Sequence, residues 1–124
     1  MVAIAEPRPV SAEVAAALAR LTEFLSLEAG WDGEDARPAS PTALRNAMLF
    51  LIEQMPTGPA PAVGPALDGS IEMEWEVAGH PSVSVTFETD GAAYFTAFTP
   101  AQVLREFRSS DGAPVAAAVT ATLA

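Results

Sequence analysis

The residues with most to offer chemistry are three glutamates at two-residue spacing, Glu72, Glu74 and Glu76, in the run IEMEWEV. In an extended strand this spacing sends all three carboxylates to one face, with Cα atoms about 6.6–6.8 Å apart. That separation lies in the range of roughly 6.5–9.5 Å at which an inverting glycosidase holds its acid and its base. A glycosidase also needs a cleft, and one carboxyl group kept protonated by burial. An open sheet face with Ser82, Ser84 and Thr86 on the next strand supplies neither. The row therefore reads as a solvated face or as a docking face for a basic protein, with weak divalent-cation binding as a third option.

The remaining candidates are thinner. Asp32-Gly33-Glu34-Asp35 lacks the D-x-D-x-D-G spacing and distal Glu of an EF-hand loop, so it reads as a structural turn. Trp31, just before it, reads as a plug over the helix junction. His80 is the single histidine, the residue type that titrates near neutrality, and any Ser-His-acid triad would have to use it. It stands in a turn beside Pro81, with no nucleophile elbow before it. No G-x-x-x-x-G-K or G-x-G-x-x-G phosphate loop occurs. The chain has no Cys and no Lys, which excludes a thiol nucleophile, a Lys Schiff base, a disulfide framework and a Cys/His zinc site. The sequence thus predicts no catalytic residue, no cofactor and no metal.

Charge points toward a partner. Sixteen acidic residues against six Arg give a net charge of −10. Phosphate backbones and anionic membranes would be repelled, so neither nucleic acid nor membrane is expected. Residues 46–104 hold seven acids and no Arg: Glu53, Asp68, Glu72, Glu74, Glu76, Glu88 and Asp90. Such an uncompensated stretch suits either solubility or a basic partner. The start, MVAIAEPRPV, has no basic region ahead of an apolar one and is broken by Pro7 and Pro9, so it does not read as a secretory signal. No apolar run approaches the ~18–20 residues that span a bilayer. A cytoplasmic protein is expected, and the Ala-rich, Lys-free composition suggests a GC-rich bacterial genome.

The elements that must position these residues follow from periodicity. The chain, 124 residues long and half hydrophobic, suits one small domain. Ser11 is a candidate N-cap, and Val14, Leu18, Leu21 and Leu25 recur at helical spacing with Phe24 beside them. This predicts a helix over residues 11–28, ending near Gly30. Ser40-Pro41 opens a second, with Leu44, Met48, Leu51 and Met55 on one face, stopping before Pro56. Residues 56–67 read as a Pro-rich connector, extended and closer to a stiff spacer than to an SH3 ligand. Past Asp68-Gly69 the period becomes two: Ile71 to Val77, Val83 to Phe87, and Ala92 to Phe98, joined by tight turns at Gly79 and Gly91. The third strand carries Tyr94, Thr96 and Phe98 on one face and Ala93, Phe95 and Ala97 on the other, as if covered on both sides. Thr99-Pro100-Ala101-Gln102 has the form of a capping box and predicts a short helix with Val103, Leu104 and Phe107 as its stripe. The tail, residues 112–124, fits a helix, an edge strand or a frayed end equally well. The expected fold is α+β: two N-terminal helices packed on a three-stranded antiparallel meander, followed by a short C-terminal helix, in the order ααβββα.

Two stretches together resemble a set of small uncharacterised bacterial proteins. One is Gly30-Trp31-Asp32-Gly33 through Ala36 and Pro38 to Ser40-Pro41 and its helix. The other is Val63 and Pro65, then Asp68-Gly69-Ser70-Ile71-Glu72 to Glu74-Trp75. Those proteins share a GW(D/N)GYxA–P–(S/N)P helix opening, a P-x-V-x-P linker and a DGGIxLEW strand. The similarity spans about residues 20–90. Glu34 replaces the usual Tyr, and Ser70 the usual Gly. The resemblance implies a small accessory protein and no particular activity, cofactor or catalytic residue.

The functional expectation is a non-enzymatic acidic module, antitoxin-, immunity- or accessory-subunit-like, docking on a basic protein partner. Glu72, Glu74, Glu76, Glu88 and Trp31 are the expected contacts. The alternatives are a homodimer assembling through its sheet and burying Tyr94 and Phe98, and a small-ligand site lined by Met48, Met55 and Met73.

Overall fold

Ser11 caps the first helix, α1 (Ala12–Glu23), its hydroxyl accepting from the Val14 N–H at 3.2 Å. The structure, a computed structural model, describes residues 9–124; the opening stretch MVAIAEPR, whose reading as no secretory signal is given above, lies outside them. Val14, Ala17 and Leu21 form the buried stripe of α1. The helix tightens into a 3₁₀ turn at Phe24–Ser26, short of the expected residue 28. That turn buries Phe24 and leaves Leu25, the fourth member of the expected stripe, 68% exposed. A 3₁₀ turn advances fewer residues per turn, so the stripe drifts off the core.

The second helix, α2 (Pro41–Leu49), begins at Ser40, whose hydroxyl accepts from the Ala43 N–H at 3.2 Å. It continues as a π-helical segment, Phe50–Gln54. The wider turn lets Phe50 and Leu51 both face the core while Ile52 points outward.

The sheet corrects the three-stranded expectation. Five antiparallel strands lie in chain order, β1 (Ala62–Pro65), β2 (Ile71–Trp75), β3 (Ser82–Phe87), β4 (Ala93–Phe98) and β5 (Val103–Ser109). The element order is therefore ααβββββα. β1 lies inside the stretch expected to be connector only. Pro65 and Gly64 are admissible there, and Pro61 just before, because β1 is an edge strand, which need not donate on both sides. β5 replaces the helix expected after the apparent capping box. The Thr99 hydroxyl does accept from the Ala101 and Gln102 N–H groups, both at 3.3 Å, as a cap would. But Thr99 and Gln102 also exchange backbone bonds in both directions, of 2.9 and 3.3 Å, closing a two-residue hairpin on Pro100-Ala101. A Ser/Thr turn and an N-cap use the same side-chain bond; the free edge of β4 selects the strand. Finally the tail forms α3 (Gly112–Leu123), capped by Asp111, with Val115, Ala116, Ala118 and Val119 buried.

All three helices cover one face of the sheet. The core lies between them: Ile71, Met73 and Trp75 from β2, Val83, Val85 and Phe87 from β3, and Ala93, Phe95 and Ala97 from β4. Phe50 anchors it, with ring centroids 6.4 Å from Trp75 and 5.4 Å from Phe87. The buried Trp75 indole satisfies its N–H on the Pro59 carbonyl at 2.8 Å. Met73 is wholly buried, with Met55 buried and Met48 packed against the cluster, so the three methionines are core filler. No second layer covers the other face of β4 among the described residues; Tyr94, Thr96 and Phe98 are half-buried there.

Candidate functional site

The carboxylate row is placed by what lies beneath it. Burial of Ile71, Met73 and Trp75 fixes the register of β2, so Glu72 and Glu74 must point outward, and Glu76, directly after the strand, is exposed as well. Their neighbours are small. Glu72 stands between Gly64 of β1 and Thr86 of β3, and Glu74 between Ala62 and Ser84. Beside the row two shallow hollows open. One of about 220 Å³ is lined by Ala62, Val63, Gly64, Glu72 and Glu74, and one of about 290 Å³ by Ala60, Ala62, Glu74 and Glu76. The ion pairs among the described residues are Arg20–Glu23, Arg108–Glu88 and Arg108–Asp90, none of which involves the row. Water reaches all three carboxylates, and no wall stands by to hold a sugar ring. The arrangement suits electrostatic capture rather than acid–base chemistry. Among the described residues no group of three or more His, Asp or Glu is disposed to hold a metal ion.

Glu88 and Trp31, unlike the row, are engaged by partners of their own. Glu88 follows β3 and shares the Nη2 of Arg108 with Asp90. Two acids of the stretch that looked uncompensated in the sequence thus share one cation supplied from β5, leaving that cluster a single net negative charge. Pairing with Glu88, and then with Asp90, holds the Arg108 guanidinium above its ordinary value. Trp31 is half-buried, its indole N–H donating to the Arg37 carbonyl at 2.8 Å within its own loop. His80 is exposed in the β2–β3 turn, where its N–H closes on the Val77 carbonyl at 3.0 Å.

The Gly30–Pro41 stretch and the turn before β2 form a clamp. The Asp32 carboxylate accepts from the N–H groups of Glu34 and Ala36, while the Gly30 N–H reaches the Ala36 carbonyl at 2.7 Å. The Glu34 bond leads the causes that lower the Asp32 carboxyl below its ordinary value. The chain then runs beside the turn before β2: the Arg37 N–H donates to the Leu67 carbonyl at 2.9 Å and the Ser40 N–H to the Gly69 carbonyl at 2.8 Å. Gly69 has φ +93°, and a Cβ there would lie 2.9 Å from the Pro38 carbonyl oxygen, so only glycine fits. Ser70 is buried, its N–H donating to the Asp68 carboxylate at 2.9 Å, and this bond, with the Ser70 hydroxyl beside it, lowers the Asp68 carboxyl. One half of the motif thus grips the other. Compared with protein-family models, curated proteins and solved structures, the chain matches none. The motif is accounted for by its contacts, which lock α2 to the sheet.

A further cleft escapes sequence reasoning. It has a volume of about 220 Å³ and lies between the π-helical segment, the β3–β4 turn and the start of α3, with Asn46, Glu53, Gln54, Ser109 and Asp111 among its lining. Asp111 is committed to capping α3 through the Ala113 N–H at 3.0 Å, and Asn46 donates to the Gly91 carbonyl at 3.4 Å. No buried side-chain nitrogen or oxygen is left without a partner among the described residues. The only sequence signal for this cleft is the Ser-Ser-Asp-Gly run, because the π-helical segment that lines it leaves no residue-type signature.

Proposed function

We propose that the protein is a non-enzymatic acidic binding module that docks on a basic protein partner through Glu72, Glu74 and Glu76. The observation that carries this reading is the pairing of exposed carboxylates, unbridged by any cation among the described residues, with hollows floored by Gly64 and Ala62. An Arg or Lys head on a carboxylate can lay its methylene stem in such a hollow, so that charge and apolar area act together. Pairing of Glu88 and the internal bond of Trp31 support a smaller footprint than the five residues expected from sequence. On this reading the clamp motif is a signature of the fold, and the row beside it is the recognition surface.

The test is parallel affinity capture from the native host with the wild type and with the triple variant Glu72→Arg, Glu74→Arg, Glu76→Arg. A stoichiometric basic partner, released by salt from the wild type and lost from a variant that melts normally, is the expected result. Equal retention of that partner by the variant removes the row from the interface.

A further inference from the structure

The two edges of the sheet are unlike. β1 is four residues long, follows Pro61 and contains Pro65, which blunts it as a template. β5 is seven residues, VLREFRS, without proline, and among the described residues no further strand borders its outer side. Val103, Leu104, Arg105, Glu106 and Arg108 on it are all exposed. Charged residues commonly guard an edge against pairing. Here their signs alternate in a way that a symmetric partner would satisfy.

Two copies joined edge to edge about an axis normal to the sheet must oppose residues of the same face, so the axis passes through a residue pair. Centring it on Glu106 sets Glu against Glu; centring it on Arg105 or Arg108 sets Arg against Arg. Centring it on Phe107 places Glu106 opposite Arg108 of the second copy, twice by symmetry, with Arg105 opposite Ser109 and Phe107 opposite its own counterpart. Opposite charges directly across a strand pair stabilise it, and like charges destabilise it. Both ionic partners have capacity to spare. Arg108 bonds Glu88 and Asp90 through Nη2, leaving Nη1 and Nε, and Glu106 accepts the Tyr94 hydroxyl on Oε2, leaving Oε1. Phe107 lies on the helix side of the sheet, with its ring centroid 5.1 Å from that of Phe95 and Arg105 over its face at 5.0 Å, so the axis would meet the rim of the core. We propose that β5 is a self-pairing edge, and that a second copy of this chain docks there antiparallel in the Phe107-centred register to make one continuous sheet.

The experiment is sedimentation equilibrium across a concentration series with four proteins: wild type, Glu106→Arg, Arg108→Glu and the double exchange Glu106→Arg/Arg108→Glu. The expected outcome is a wild-type dimer, a dissociation constant raised at least about tenfold by each single reversal, and recovery in the double exchange. The neutral variants Glu106→Gln and Arg108→Gln should fall between, which keeps the order readable if a reversal also lowers the melting temperature. A wild type that stays monomeric throughout, single reversals that dimerise as the wild type does, or a double exchange that fails to recover would each overturn the proposal. The row on β2 is untouched by these variants, so this result and the capture result above are read separately.

Discussion

Gly69→Ala tests the clamp most sharply. An alanine at φ +93° carries the strain of a backbone region that L side chains avoid, roughly 1–2 kcal/mol. Its Cβ would also stand 2.9 Å from the Pro38 carbonyl oxygen, which is backbone and cannot rotate away. Relief requires the segment at residues 37–40 to retreat, weakening the bonds Arg37 N–H to Leu67 and Ser40 N–H to Gly69, each contributing about 0.5–1.5 kcal/mol. The total is roughly 2–4 kcal/mol, a large part of the ~5–15 kcal/mol that stabilises a typical domain. Gly79→Ala is the control: φ is +83°, yet nothing lies within 4 Å of its Cβ position, so only the strain applies. Thermal melts followed by circular dichroism should drop by about 3–5 °C per kcal/mol for a domain of this size. Gly69→Ala is therefore expected about 6–20 °C below wild type, and Gly79→Ala about 3–10 °C below. Equal shifts for the two would show that the close approach to Pro38 carries no energy, and would refute the clamp as the reason for the motif.

Three further outcomes follow from the same geometry. The Asp68 carboxyl, lowered by the Ser70 N–H and hydroxyl, contributes stability that is fully present above its unfolded value of 3.8 and is lost as pH falls through the folded value. Asp68→Asn should therefore cost stability at neutral pH and close the gap to wild type in melts taken toward about pH 2. Tyr94 is the only tyrosine, so absorbance titration reads it alone; its bond to Glu106 raises it above 10.0, and Glu106→Gln should bring it down. A Tyr94 titration that ignores Glu106→Gln would show that this bond does not form. Phe50→Ala, which empties the contact with Trp75 and Phe87, should cost about 3–5 kcal/mol in urea unfolding.

Local chemistry was legible in the sequence and competition between local chemistries was not. Ser11 and Ser40 announce their helices because nothing else in their surroundings uses the hydroxyl. The period-two runs of β2, β3 and β4 are readable because one face of each is buried and the other is wet. Thr99 failed as a helix signal since the same hydroxyl bond closes a hairpin, and only the free edge of β4 decides between them. β1 is hidden by Pro61 and Pro65, whose conflict with a central strand disappears at an edge. α3 is so rich in alanine that its buried stripe has little contrast with its exposed side. At the candidate site, the alternation that exposes Glu72 and Glu74 could be read directly. The pairing of Glu88 and Asp90 with Arg108 could not, because it depends on β5 being a strand.

The sheet order has a consequence for how this chain reaches its structure. Each strand pairs with its neighbour in the sequence, so the meander is built by closing short loops, the least demanding route for a sheet. The hairpins at Gly79, Gly91 and Pro100-Ala101 can form in any order without waiting for distant segments. The clamp between residues 37–40 and 67–69 is different, since it joins parts of the chain about thirty residues apart and sets α2 on the sheet. Assembly of the strands therefore falls to local contacts, whereas the tie between α2 and the sheet waits on a long-range loop closure.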